Sequence, residues 1–160
     1  MSWTTTDLCD DYISELRVAV PIGLRDFGGK LSFCGEIVTI EALENNPLVR
    51  KTLSEDGTGK VLVVDGSGSL RRAMMGDNIA ELAVNNGWEG VIINAAIRDS
   101  VAISKLNLGV KALDVFPVKS GKNDIGELNV TVHFAGIDFV PGEYVYADED
   151  GILVSKNKYY

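Results

Sequence analysis

Residues 60–99 read KVLVVDGSGSLRRAMMGDNIAELAVNNGWEGVIINAAIRD, and this stretch decides the fold. Residues 60–65 form a continuous apolar strand ending in Asp65, the pattern of a strand buried on both faces. Gly66-Ser67-Gly68-Ser69 follows directly. A helix then begins around Asp77, with Ile79, Leu82 and Ala83 on one face, and Asn85-Asn86-Gly87 is its stop signal. Residues 89–95 are a second buried strand, and Arg98-Asp99 sits just past its end. Strand, helix and strand in this order predict a parallel α/β unit.

Working outward, residues 31–43 read as a strand rich in β-branched residues, with Gly35 at a bulge. Asn45-Asn46-Pro47 starts a helix that runs to about Leu53, and residues 55–59 turn into the strand at 60. After Arg98-Asp99 a short helix reaches Leu106, and a strand covers 110–118. The N-terminal side holds an acidic amphipathic helix from Thr6 to Tyr12, capped by Thr6 or Asp7, then a short apolar strand or turn at 18–21 and a turn at 26–30. The last third changes character. Residues 128–134, 137–140, 144–147 and 152–155 are short strands between Gly, Pro and Asp turns, as in antiparallel hairpins. The expectation is one α/β domain over residues 1–160, a central β-α-β-α-β unit with a β-rich C-terminal third.

Bulk properties narrow the function. A chain of 160 residues suits one domain and buries roughly 70% of its unfolded surface. The net charge of −8 argues against a duplex nucleic-acid binder, which needs a basic face. An anionic ligand has to be met locally, by an Arg, a metal or a helix N-terminus. Cys9 and Cys34 make no CxxC and no zinc spacing, and read as buried reduced thiols. The polar, acidic N-terminus is no signal peptide, and the apolar runs are far short of the roughly 20 residues a membrane span needs. The expected setting is soluble and cytoplasmic.

Two pieces of the chain carry chemistry. Gly76-Asp77-Asn78-Ile79 opens a helix, with Asp77 at the N-cap. The free amides of Asn78 and Ile79, with the positive end of the helix dipole, make an anion site. By itself Asp77 reads as a plain cap, since such caps are common. Arg98-Asp99 stands at the carboxyl end of a strand, where ligands gather in parallel sheets. Arg98 suits a two-pronged grip on a carboxylate, and Asp99 suits a hard cation that keeps several waters. The plainer alternative is a surface Arg and a capping Asp. The spacing Asp-x20-Arg-Asp encloses one helix and one strand, which brings both pieces to one sheet edge.

Other candidates carry less. His133, the single histidine, sits inside a strand with no local nucleophile and reads as structural or surface. The Asp65–Ser69 loop lacks the Walker Lys and the third Rossmann glycine. Arg71 and Arg72 reach the site edge or a subunit contact, or are simply solvated. Trp88 reads as core or interface. Asp148-Glu149-Asp150-Gly151 reads as a turn, since no Glu follows at the twelfth position of a calcium loop.

The Asp-x20-Arg-Asp pattern resembles the class II, metal-dependent 4-hydroxy-4-methyl-2-oxoglutarate (HMG) and 4-carboxy-4-hydroxy-2-oxoadipate aldolases, a superfamily shared with the bacterial regulator of ribonuclease activity A. Supporting stretches are Phe27-Gly28-Gly29 with Phe33, residues 59–66, Leu82-Ala83-Val84 to Gly87-Trp88-Glu89-Gly90, and Tyr146-Ala147-Asp148 to Gly151-Ile152. The resemblance spans almost the whole chain. It implies a swivelling-domain-like α/β sandwich assembled as trimers, sometimes as stacked hexamers. It implies that Gly76, Asp77, Asn78 and Ile79 bind a pyruvyl group, that Arg98 binds and polarises the substrate, and that Asp99 ligates Mg²⁺ or Mn²⁺. Asp77 would contact water on the metal. The implied reactions are cleavage of HMG to two pyruvates and decarboxylation of oxaloacetate. The longer aldolases add a Glu from a neighbouring subunit's C-terminal extension, which a chain ending at Tyr160 does not carry. The overall likeness runs closer to the ribonuclease-regulating branch, so the alternative is a non-catalytic protein that binds and inhibits a ribonuclease of the RNase E type. Asp99 favours the enzyme, because the regulators lack an acid at that place.

Overall fold

The computed structural model describes residues 2–160. Four strands form the parallel centre: β3 (Phe33–Glu41), β4 (Lys60–Asp65), β5 (Gly90–Ile97) and β6 (Gly109–Val115). They lie side by side in sequence order. Three helices make the crossovers: α2 (Pro47–Leu53), α3 (Asp77–Asn85) and the single turn α4 (Ser100–Ile103). Every residue of β5 is buried, as its unbroken apolar run requires. Leu62, Val64, Val91 and Ile93 face α2 and α3, while Val61, Val63 and Ile92 face the opposite layer.

Antiparallel strands complete the sheet. On one side β3 pairs with β10 (Tyr144–Asp148), then β11 (Gly151–Ser155), then β1 (Leu16–Val18); on the other, β6 pairs with β2 (Arg25–Asp26). β7 (Glu127–Leu128) adds to the far end of β3. A separate hairpin, β8 (Val132–Phe134) with β9 (Ile137–Phe139), covers the face away from α2 and α3 through Val132, Phe134 and Phe139. The fold is therefore a mixed α/β sandwich with a parallel core and a β-rich end. No helix among the described residues is long and apolar enough to cross a membrane.

Several local expectations need correction. The first helix, α1 (Thr5–Tyr12), is capped by Thr4, whose hydroxyl accepts the Asp7 amide at 3.0 Å. Gly35 pairs in register with Val145 and makes no bulge; the irregular register falls between Ile93 and Ala96 on β5. Residues 128–134 are two strands in two sheets, parted at Asn129, which turns with φ +59° and gives its amide to Thr39 O. Cys9 and Cys34 are unpaired but half-buried. His133 agrees with its surface reading: it is exposed on the hairpin, 2.7 Å from Asp138.

Asp148 ties α1 to the sheet. Its carboxylate, 7% exposed, accepts the Thr5 hydroxyl at 2.6 Å, the Thr5 amide at 2.8 Å and the Asp150 amide at 3.0 Å. Burial pushes this carboxyl up, but the hydrogen bonds from Thr5, Asp150 and Gly151 outweigh it and hold the group below its ordinary range. A pKa depressed in the folded state stabilises above the unfolded value, and that stability is lost as pH falls through the folded pKa. Asp148→Asn is expected to cost about 2 kcal/mol at neutral pH, the scale of charge-assisted bonds. In urea titrations the gap from the parent protein should narrow below about pH 4, near the unfolded Asp pKa.

Candidate functional site

The Asp77 and Arg98-Asp99 pieces meet at the carboxyl edge of the parallel strands. The connection from β4 runs out through Asp65 and returns as residues 73–75 alongside the end of β5. The Met74 amide donates to Ala96 O at 2.9 Å, and the Arg98 amide donates to Met75 O at 3.0 Å. Immediately afterwards α3 begins, so its N-terminus opens beside Arg98 and Asp99.

The cap of α3 differs from its expected form. Gly76 occupies the N-cap, Asp77 is the first helical residue, and no side chain from the cap position itself closes the end. Asp99 supplies the missing acceptor: its Oδ2 receives the Asp77 amide at 3.0 Å. Asp99 is held for this by a left-handed backbone (φ +58°) at the start of α4. Gly76 makes the approach possible, because a Cβ there would stand 2.6 Å from Asp99 Oδ2 and 3.3 Å from Arg98 Nε. The amides of Asn78 and Ile79 have no partner among the described residues, as an anion site requires.

These groups line a cleft of ≈ 110 Å³ together with four side chains that the sequence did not mark: Asn46, Arg50, Lys119 and Lys122. Lys119 arrives because residues 118–120 pair with Ala73, whose amide donates to Val118 O at 2.7 Å and whose carbonyl accepts the Ser120 amide. Lys122 arrives through Asn46, a buried amide that donates to Met74 O at 3.1 Å and accepts from Lys122 Nζ at 3.3 Å. Arg50 comes from α2. The sequence showed Asn46 only as part of a helix start.

The cleft is electrostatically unfinished. Arg50, Arg98, Lys119 and Lys122 line it, and among the described residues none has a carboxylate within 4.0 Å. Four cations against the two carboxylates of Asp77 and Asp99 leave the lining net positive, which favours an anionic ligand in a chain of net charge −8. Arg98 is half-buried, with only a 3.5 Å contact from Nη1 to Pro117 O. Another hollow, formed by residues 19–24 and 149–152 with Lys111 (≈ 260 Å³), has that lysine as its one cation, already paired with Asp26 at 3.1 Å. Arg71 is engaged by Glu44, and Trp88 is core, with its indole N–H on Glu55 O.

No cluster of three or more His, Cys, Asp or Glu stands among the described residues. The donor set available to a cation is Asp99, whose Oδ1 is unbonded and whose side chain is exposed, with Asp77 adjacent. One direct carboxylate fits a hard, water-retaining ion such as Mg²⁺ or Mn²⁺ and does not fit the nitrogen and sulfur cages of zinc.

Comparison with known proteins adds the ancestry. Residues 5–154 match the family model described as RraA-like, Aldolase/RraA. A protein of Alkalilimnicola ehrlichii with the provisional name 4-hydroxy-4-methyl-2-oxoglutarate aldolase is 54% identical over 98% of this chain and 97% of its own length. Among solved structures, the RNA-processing inhibitor RraA from Thermus thermophilis is 41% identical, with a TM-score of 0.95 over 100% of this chain and 96% of that one. A Geobacillus kaustophilus structure named as an S-adenosylmethionine:2-dimethylmenaquinone methyltransferase is 44% identical, with a TM-score of 0.94 over 98% and 96%. One fold thus carries three differently named activities, and likeness alone does not choose among them.

Proposed function

The chain belongs to the RraA-like family, and from that premise we propose that it is a divalent-metal-dependent carbon–carbon lyase of 2-oxo acids. Its reactions would be cleavage of HMG to two pyruvates and decarboxylation of oxaloacetate to pyruvate and CO₂. The observation that carries this reading is the meeting of Asp99, Arg98 and the open end of α3 in one cationic cleft. Mg²⁺ or Mn²⁺ bound by Asp99 would supply the Lewis acid that polarises the 2-keto oxygen.

The chain's own groups do the rest. The Asn78 and Ile79 amides receive the 1-carboxylate at the helix end. Arg98 holds the keto oxygen and gains strength as negative charge develops there. When the C3–C4 bond of HMG breaks, its electron pair stays on C3 as the pyruvate enolate. The 4-hydroxyl proton passes to Asp77, directly or through one water, as C4 becomes the keto carbon of the second pyruvate. A proton then returns to C3. Oxaloacetate needs no such acceptor, because C4 leaves as CO₂. The site would lie near a subunit boundary of a homotrimer or hexamer.

The test is pyruvate release from oxaloacetate by the purified protein, with Mg²⁺ and with EDTA. Turnover that is abolished by EDTA and exceeds the metal-only blank is expected. Turnover no higher than that blank would remove the lyase reading. The second reading, a ribonuclease-binding regulator, then takes its place, favoured by the likeness to the Thermus inhibitor and by the acidic net charge, which suits a basic partner.

Gly76→Ala tests how tightly the cleft is built. The added methyl displaces Asp99 Oδ2 from the end of α3, and displacements of about 1 Å at a reacting centre cost about 10²-fold in rate. The expected result is a loss of that size in kcat/KM with a thermal midpoint within a few degrees of the parent.

A further inference from the structure

Two of the four cations stand apart from the pyruvyl end. Asn46, Arg50 and Lys122 line the ≈ 110 Å³ cleft and also the adjoining hollow of ≈ 540 Å³ against α2. They therefore mark the boundary where the cleft opens, whereas Gly76, Asn78, Ile79 and Asp99 line only the inner cleft. Arg50 and Lys122 are exposed and have no ion-pair partner among the described residues. Asn46 is 6% exposed, fixed on Met74 O, and takes one N–H of Lys122. An exposed lysine on a buried, pinned amide is held in place as a solvated surface lysine is not.

We propose that Arg50 and Lys122 form the subsite for the distal carboxylate of a 2-oxo diacid, with Asn46 as the positioning residue, and that this subsite biases the cleft toward aldol cleavage over decarboxylation. The proposal rests on the reading that the inner cleft takes the pyruvyl end. The bias follows from where the charge goes. In HMG cleavage the C3–C4 pair moves to C3, and the distal carboxylate remains an anion on the departing pyruvate, so its grip is as strong in the transition state as before. In oxaloacetate decarboxylation the distal carboxylate is itself the leaving group. Its charge passes through the breaking C3–C4 bond to C3, and neutral CO₂ departs. Cations on that carboxylate stabilise the ground state more than the transition state, which raises the barrier. One subsite thus raises kcat/KM for cleavage, while for decarboxylation it tightens binding and slows the chemical step.

The experiment compares Arg50→Gln and Lys122→Gln with the parent enzyme in Mg²⁺, on both substrates. For HMG, KM should rise about 10–100-fold, the worth of a charge-assisted bond, with no rise in kcat. For oxaloacetate, KM should rise while kcat also rises, several-fold. Loss of kcat on both substrates alike, or no change on either, would overturn the proposal. A binding arm separates this outcome from the lyase reading. By calorimetry with Mg²⁺, the variants should bind 2-oxoglutarate, an unreactive diacid, about 10–100-fold more weakly, while pyruvate changes less than about twofold. Equal weakening of both ligands also overturns it. If the parent turns over neither substrate yet the variants lose 2-oxoglutarate selectively, the lyase reading falls and the subsite stands.

Discussion

Asp99→Asn is expected to reduce kcat/KM for both oxaloacetate and HMG by about 10³-fold while leaving the thermal midpoint nearly unchanged, the upper range for loss of an electrostatic stabiliser. The proposed site gives Asp99 two tasks on two oxygens. Oδ2 accepts the Asp77 amide and closes α3, and Oδ1 has no partner among the described residues. An asparagine can turn its carbonyl oxygen to the Asp77 amide and keep the cap, but it contributes no charge to a hard cation. Asp99→Ala removes both functions, and should lose a further ~1 kcal/mol of stability, the usual worth of a helix cap. The comparison between the two variants separates the structural use of this residue from the chemical one. Full Mg²⁺-dependent activity in Asp99→Asn would show that Asp99 is only a cap supplied from a neighbouring loop.

The cap on α3 also shows where the sequence is legible and where it is not. The strand at 60–65, the helix opening at 77 and the buried strand through 95 are periodic or continuous apolar signals, and each appears within two residues of its expected bounds. Arg98 and Asp99 stand just past a strand end, which follows from the α/β pattern alone. The cap assignment fails because it looks only at neighbours in the chain. Asp77 has the right residue type in about the right place, yet the acceptor that closes α3 lies 22 residues away. Lys119 and Lys122 are invisible for a related reason. They reach the cleft because residues 118–120 pair with Ala73 and because Asn46 holds Lys122, contacts between segments with no shared period. The strand expected at 128–134 fails locally instead. Its alternation is real, but Asn129 takes a left-handed turn that splits it between two sheets.

Arg98→Lys should lower kcat/KM by about 10²–10³-fold on both substrates, with most of the loss in kcat, if the guanidinium acts on charge that develops in the reaction. The backbone here leaves little freedom for compensation. The Arg98 amide is bonded to Met75 O at 3.0 Å, and its side chain runs past Gly76 with Nε 3.3 Å from where a Cβ would stand. A lysine on the same backbone keeps the charge, but presents a single ammonium instead of two parallel N–H groups in a plane. It cannot aim two N–H groups at the keto oxygen as the enolate charge develops there. If Arg98→Lys instead raises KM and leaves kcat intact, Arg98 binds ground and transition states equally and belongs to recognition, not catalysis. Arg98→Ala with added guanidinium ion decides the geometry. Partial recovery with guanidinium, and none with the same concentration of ammonium, is expected if the planar fork is what the reaction uses. Equal recovery with both would mean that net positive charge at this edge of the sheet is sufficient.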